Sequence, residues 1–167
     1  HVQDKKDGPV EHMEYLHTDD SDPRLGLIRE LITGCGNKGS VVVYNRGFEA
    51  RINNELGSAF PEYKGQLDNI TNRMVDLLVP FRSRYLYHPE MKGSASIKSV
   101  LPAFYPDMGY DGLEISDGGT ASLKYLSCIK GQVSQEQKES IFVELRKYCG
   151  LDKIAEVKLG SLLNQVN

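Results

Sequence analysis

Four consecutive apolar residues, Val41-Val42-Val43-Tyr44, lead without a loop into Asn45-Arg46-Gly47-Phe48-Glu49. Three β-branched residues in a row crowd the turns of a helix but sit well on a pleated strand, and the run is too short for a buried helix. A strand that is apolar on both faces belongs to a parallel sheet covered by helices. Parallel neighbours need a crossover of about a dozen residues or more, usually helical. The run therefore predicts an α/β domain with a small sheet.

The flanking sequence fits that frame. Asp22 and Pro23 open a helix over Pro23–Thr33, with Asp22 as its cap and Leu25, Ile28, Leu31 and Ile32 as its apolar stripe; Gly34 and Gly36 stop it. Arg46–Leu56 and Pro61–Met74 read as helices, and Val75–Leu78 as a further strand. The beginning reads as a hairpin: a strand at Val2–Lys5, an Asp7-Gly8 turn, and a second strand at Val10–His17. In that second strand Val10, His12, Glu14 and Leu16 share one face, so its alternation is imperfect. Val10–His17, Val41–Asn45 and Val75–Leu78 are expected in one sheet, with the first helix on a face. Beyond Ser94 helices are expected at Ser96–Ala103, Gly118–Ile129, Ser134–Tyr148 and Leu151–Asn164. Ser134 and Gln137 have capping-box spacing.

The 167 residues suit one domain, 1–167, with its own core. No apolar run reaches the roughly 18 residues of a membrane span, and the first residues lack a signal peptide's apolar stretch. Three cysteines without metal-type spacing suit a reducing, cytoplasmic compartment. The absence of an initiator Met suggests a piece of something longer. A net charge of −3 argues against nucleic-acid binding by bulk electrostatics. Locally, Arg73, Arg82, Arg84, Lys92 and Lys98 face only Asp76 and Glu90, a strip that suits phosphates or plain solvent.

Two constellations hold candidate chemistry. Asn45 to Glu49 lies where a strand turns into a helix, the place where α/β sheets put ligands. The plainer reading is that Asn45 caps the helix and Glu49 complements its dipole. Tyr148 and Asp152 share a helix face if the helix runs through Gly150. The plainer reading there is that Gly150 ends one helix and Asp152 opens the next. Asp76 reads as a structural hydrogen-bonding residue, and Asp117 as the cap of the following helix. Tyr85, Tyr87 and His88, beside Arg82 and Arg84, either stack on bases or pack as a surface loop. His12 and His17 read as ordinary strand residues.

Taken together, Asn45-x-x-Phe48-Glu49 and Tyr148-x-x-x-Asp152 resemble the second and third motifs of the DEDD-type 3′–5′ exonucleases. Those enzymes have an RNase H-like (DnaQ-like) fold, a mixed sheet flanked by helices. Glu49 stands where that superfamily usually has Asp. The phrases VVVYNRGFE, VDLLVPFR, YHPEMKGSASIKSVLPAF, LEISDGG and YCGLD resemble more closely a bacterial domain of unknown function, usually C-terminal to a RecB-like PD-(D/E)XK nuclease module in one polypeptide. The resemblance implies Mg²⁺ or Mn²⁺ held by Glu49 and Asp152, with Tyr148 orienting the attacking water. It implies Asn45, Phe48, Arg82, His88 and Lys98 at a nucleic-acid substrate, DNA or RNA, with a single-stranded end. The superfamily's first motif, Asp-x-Glu on the central strand, is not found here; Glu11-x-x-Glu14 has the wrong spacing. The domain thus reads as N-terminally truncated and inactive alone, its first strand supplied by upstream residues or its sheet completed by a second copy. The alternative is a non-catalytic module that binds nucleic acid or positions a neighbouring nuclease, which the Glu at position 49 favours.

Overall fold

The structure, a computed structural model, describes residues 1–5 and 8–165. The chain divides into two compact units: His1–His17, Asp22–Tyr87 and the residues from Glu156 onward form one, Thr18–Ser21 and His88–Ala155 the other.

The first unit holds α1 (Arg24–Cys35), β1 (Val41–Val43), α2 (Arg46–Ala59), α3 (Lys64–Asn72), β2 (Met74–Asp76) and the short α4 (Leu78–Arg82). The strands pair in parallel, Val41 with Met74, Val42 with Val75 and Val43 with Asp76, and α2 and α3 make the crossover. The α/β order is as the sequence predicts, but the sheet is a parallel pair rather than a mixed one. It is also covered on one side only. Val43 is buried, whereas Val42 and Val75, on the opposite face, are 42% and 48% exposed. Two strands of three residues are too narrow to shield both faces.

Helix packing supplies the unit's core. Ile28 of α1, Leu56 of α2 and Leu67 of α3 are buried together, with Leu31, Ile32, Ile52, Phe60 and Tyr63 against them. Gly26 gives Tyr15 room to lie on α1, since a Cβ there would stand 2.2 Å from the phenol oxygen. Buried Asn53 donates to the Thr71 hydroxyl at 3.0 Å and ties α2 to α3.

Arg73 joins the far ends of α1 and α3. Its Nη1 donates to the carbonyls of Lys38 (2.5 Å) and Gly39 (2.9 Å), and its Nη2 to those of Cys35 (3.1 Å) and Gly36 (2.7 Å). Its Nε donates to Asn69 Oδ1 at 3.0 Å. All five guanidinium N–H groups are used, so Arg73 is a structural clamp rather than part of a phosphate strip.

The expected hairpin is reduced to one bridge. Val2 and Glu11 exchange both backbone hydrogen bonds at 2.9 Å, and Val10–His17 otherwise runs outside any strand. Asp7, in the predicted turn, lies outside the described residues. Both faces of this segment mix apolar with charged side chains, so neither repays burial on a sheet; Val10, Met13 and Tyr15 are all more than a third exposed. The second strand is shifted as well. It ends at Asp76, whose carboxylate accepts the Leu78 N–H at 3.0 Å and starts α4 where Val75–Leu78 predicted continued extension.

The second unit contains α5 (Ile97–Phe104), α6 (Gly118–Ile129) and α7 (Gln135–Gln165) up to Ala155, around buried Met91, Val100, Leu101, Ile115, Cys128, Phe142 and Leu145. Asp117 caps α6 as expected, its Oδ1 accepting the Thr120 N–H at 2.9 Å. The Ser134–Gln137 capping box is complete: Ser134 N–H donates to Gln137 Oε1 at 2.9 Å, and Gln137 N–H to Ser134 Oγ at 3.2 Å.

A break at Gly150 is not observed. One helix continues through it, because Phe142, Leu145, Tyr148 and Ala155 maintain a buried stripe on both sides of the glycine. A Cβ at Gly150 would meet nothing within 4 Å, and its φ is not left-handed. Gly150→Ala is therefore expected to stabilise the chain by about 0.5–1 kcal/mol in urea or thermal unfolding. Destabilisation would instead indicate a left-handed helix end. Among the described residues no helix is long and apolar enough to cross a membrane.

Candidate functional site

Because α7 runs unbroken, Tyr148 and Asp152 lie one turn apart on the same face. Tyr110, from the segment after α5, donates its hydroxyl to Asp152 Oδ1 at 2.5 Å. Both tyrosines are 8% exposed, and their tilted rings are 6.2 Å apart. Burial pushes the Tyr148 phenol up to about 12, with the charge and hydrogen bonding of Asp152 acting in the same direction. Tyr148 is thus a neutral phenol near pH 7, able to donate a hydrogen bond but not to act as a base.

Lys98, in the first turn of α5, lies over this pair. Its Nζ is 5.6 Å from the Tyr110 ring centre and 5.9 Å from that of Tyr148, and donates to the Ser116 carbonyl. Ring faces attract an ammonium at these distances. The neighbouring Asp117 carboxyl is held below its ordinary range, first by the Thr120 hydroxyl and backbone, with Lys98 contributing. The second unit thus gathers two carboxylates, Asp152 and Asp117, two phenols and one ammonium. Lys98, Tyr148 and Asp152 are three of the residues singled out from the sequence. Tyr110 was not, because nothing in its local pattern announces a partner 42 residues away.

The first unit holds the other candidates. Asp76 accepts the backbone N–H of Asn45 at 3.0 Å, of Arg46 at 3.1 Å and of Leu78 at 3.0 Å. It is the structural residue the sequence suggested, and it satisfies the start of α2. Asn45 stands at the N-cap position without a side-chain capping bond, correcting the plainer expectation for it, and its φ is +79°. Asn tolerates that left-handed conformation better than most residues. Glu49 occupies the first turn of α2, where a carboxylate complements the dipole, and its Oε2 is withdrawn from solvent. Phe48 is 55% exposed, with the Arg51 guanidinium 5.3 Å over its ring. Burial, and then the charge of Asp76, raise the Tyr44 phenol well above its ordinary value. Arg82 ends α4 on the surface.

His88, in the second unit, has its Nδ1 accepting the Glu90 N–H at 3.3 Å and its ring edge-on to Phe104. Its polar contact therefore caps a short 3₁₀ turn. Glu49 and Asp152 belong to different units. Among the described residues no three His, Cys, Asp or Glu side chains group so as to hold a metal ion.

Residues 1–96, more than half of the chain, match the family described as Domain of unknown function (DUF2779). The chain belongs to the DUF2779 family. The sequence-based expectation of a bacterial domain of unknown function holds at that level. The match includes Asn45 to Glu49, Asp76 and Arg82 to His88; Lys98, Tyr110, Tyr148 and Asp152 follow it. A curated relative, "Uncharacterized protein MG366" of Mycoplasma genitalium, is 27% identical over 131 residues, covering 72% of this chain and 20% of its own. The DUF2779 chain thus spans about a fifth of that relative's length. No solved structure matches it.

Proposed function

We propose that this DUF2779 chain is part of an RNase H-like, DEDD-type nuclease domain that hydrolyses phosphodiester bonds from the 3′ end of nucleic acid with Mg²⁺ or Mn²⁺. The observation that carries the reading is the continuity of α7. It gives Tyr148-x-x-x-Asp152 the one-face geometry that the exonuclease motif needs, with the Tyr148 phenol beside the Asp152 carboxylate. Asp152 and Glu49 supply hard oxygen donors of the kind that these cations prefer. In kind the donors fit; in number they fall short, since a two-ion centre takes about four carboxylates. The reading therefore draws further carboxylates from polypeptide outside this chain, in a protein that also carries a PD-(D/E)XK nuclease module. When bound, the ions would lower the pKa of a water and stabilise the leaving oxygen. Tyr148, as a neutral phenol, orients that water by hydrogen bonding. Tyr110 fixes the Asp152 rotamer. Lys98 neutralises charge on the phosphate, and Asn45, Phe48, Arg82 and His88 contact the strand. Cys35, Cys128 and Cys149, none of them in a disulfide, suit a cytoplasmic setting.

A second reading, a non-catalytic module that binds nucleic acid or positions a nuclease, is favoured by Glu49 standing where Asp is usual and by the ligand count. One experiment separates the two. Incubated with Mn²⁺ and single-stranded oligonucleotides, the 167-residue chain is expected to leave them intact. A polypeptide extended at its N-terminal side by a strand carrying Asp-x-Glu is expected to shorten them. Failure of the extended polypeptide leaves the module reading. Cleavage by the chain alone, persisting in Asp152→Asn, overturns the site.

A further inference from the structure

The turn that follows α4 is built to hold an aromatic ring in solvent. Leu78 and Phe81 anchor α4 in the first unit at 6% and 1% exposure. Past Arg82 the backbone folds back on this anchor: Ser83 N–H donates to the Val79 carbonyl, Arg84 N–H to that of Phe81, and the N–H groups of both Tyr85 and Leu86 to that of Pro80. The chain reverses at Arg84, whose φ is +58°. Side-chain-bearing residues avoid that region, and strained conformations of this kind concentrate at functional sites. Here the result is not burial. Tyr85 is 83% exposed and Tyr87 45% exposed, while Arg82 and Arg84 are both exposed beside them. No acidic residue occurs between Asp76 and Glu90, and among the described residues no ion pair holds either arginine.

A phenol ring carried into water on a hydrogen-bonded turn loses apolar burial. Its flat face matches a nucleobase, and the adjacent guanidiniums match the phosphates on either side of that base. We infer that the Arg82–Tyr87 turn is a binding site for single-stranded nucleic acid, with Tyr85 stacking on a base and Arg82 and Arg84 contacting the backbone. A duplex does not fit this chemistry, because its bases are already stacked. The site supplies strand capture for the nuclease reading and for a nucleic-acid-binding module alike, and so it rests on nucleic acid being the ligand, not on hydrolysis.

The test is a fluorescence-anisotropy titration of a labelled single-stranded thymidine oligonucleotide with the full chain in EDTA, so that no cleavage enters. Binding is expected to weaken with salt. Tyr85→Ala is expected to weaken it about 5- to 100-fold, while Tyr85→Phe, which keeps the ring, stays within about threefold of the parent. Arg82→Gln and Arg84→Gln are each expected to reduce the slope of log affinity against log salt by about 0.7, as for loss of one phosphate contact. Arg84→Gly, which relieves the left-handed residue, separates charge loss from a disturbed turn and should match Arg84→Gln. No measurable binding, or equal affinity for the parent and Tyr85→Ala, overturns the site. So does Tyr85→Phe failing as badly as Tyr85→Ala. Hydrolysis assayed separately with Mn²⁺ in the polypeptide extended by the Asp-x-Glu strand keeps the two questions apart: binding without cleavage there removes the nuclease reading and leaves this site, and cleavage indifferent to Tyr85 does the reverse.

Discussion

In a polypeptide competent for hydrolysis, Asp152→Asn is expected to lower the metal-dependent rate by more than about 100-fold. Loss of residues that merely support a metal ligand already costs 10–100-fold, and Asp152 is proposed as a ligand itself. The amide is isosteric and its oxygen can still accept the Tyr110 hydroxyl, so the fold and the local packing remain. What is lost is the negative charge. Tyr148→Phe should behave differently, lowering turnover about 10- to 100-fold while Mn²⁺ affinity measured by calorimetry stays within about twofold, because the phenol addresses water and not the ion. Tyr110→Phe should fall between them, weakening Mn²⁺ binding as Asp152 gains rotamer freedom. Equal losses of affinity in all three variants would show a structural cluster instead of a division of roles.

Arg73→Ala is expected to destabilise the chain by about 2–4 kcal/mol in urea unfolding. Hydrogen bonds to a charged donor contribute about 1.5–3 kcal/mol each, but several of the freed carbonyls can turn to water, so the five do not add. The loop from Cys35 to Gly39 loses its common anchor in this variant. Arg73→Lys should recover less than half of the loss, since a single ammonium cannot reach the acceptors that the guanidinium's planar fork of donors spans. A change below about 0.5 kcal/mol for Arg73→Ala would mean that the clamp does not hold in solution.

Much of the local structure was legible in the residues. The helices, the Asp117 cap and the Ser134–Gln137 box depend on partners within about four positions, and the Val41–Val43 strand shows in its own run of β-branched residues although its partner strand is distant. Tyr148 and Asp152 were legible as a pair on the condition that the helix continued. Gly150 argued against continuity locally, and the buried stripe from Phe142 to Ala155 outweighs it.

Elsewhere only the tertiary structure decided. Val10–His17 had strand-like residues but no apolar face, so extended backbone did not become sheet. Arg73 looked like surface charge until α1 and α3 brought four carbonyls around it. Asp76 reached the start of α2 from 31 residues away, displacing Asn45 from the capping role that its position suggested. Tyr110 came to Asp152 across 42 residues. A preference set by neighbouring residues leaves a periodic or spaced mark in the sequence. A hydrogen bond between distant segments leaves none, because its geometry exists only after the chain between them has packed.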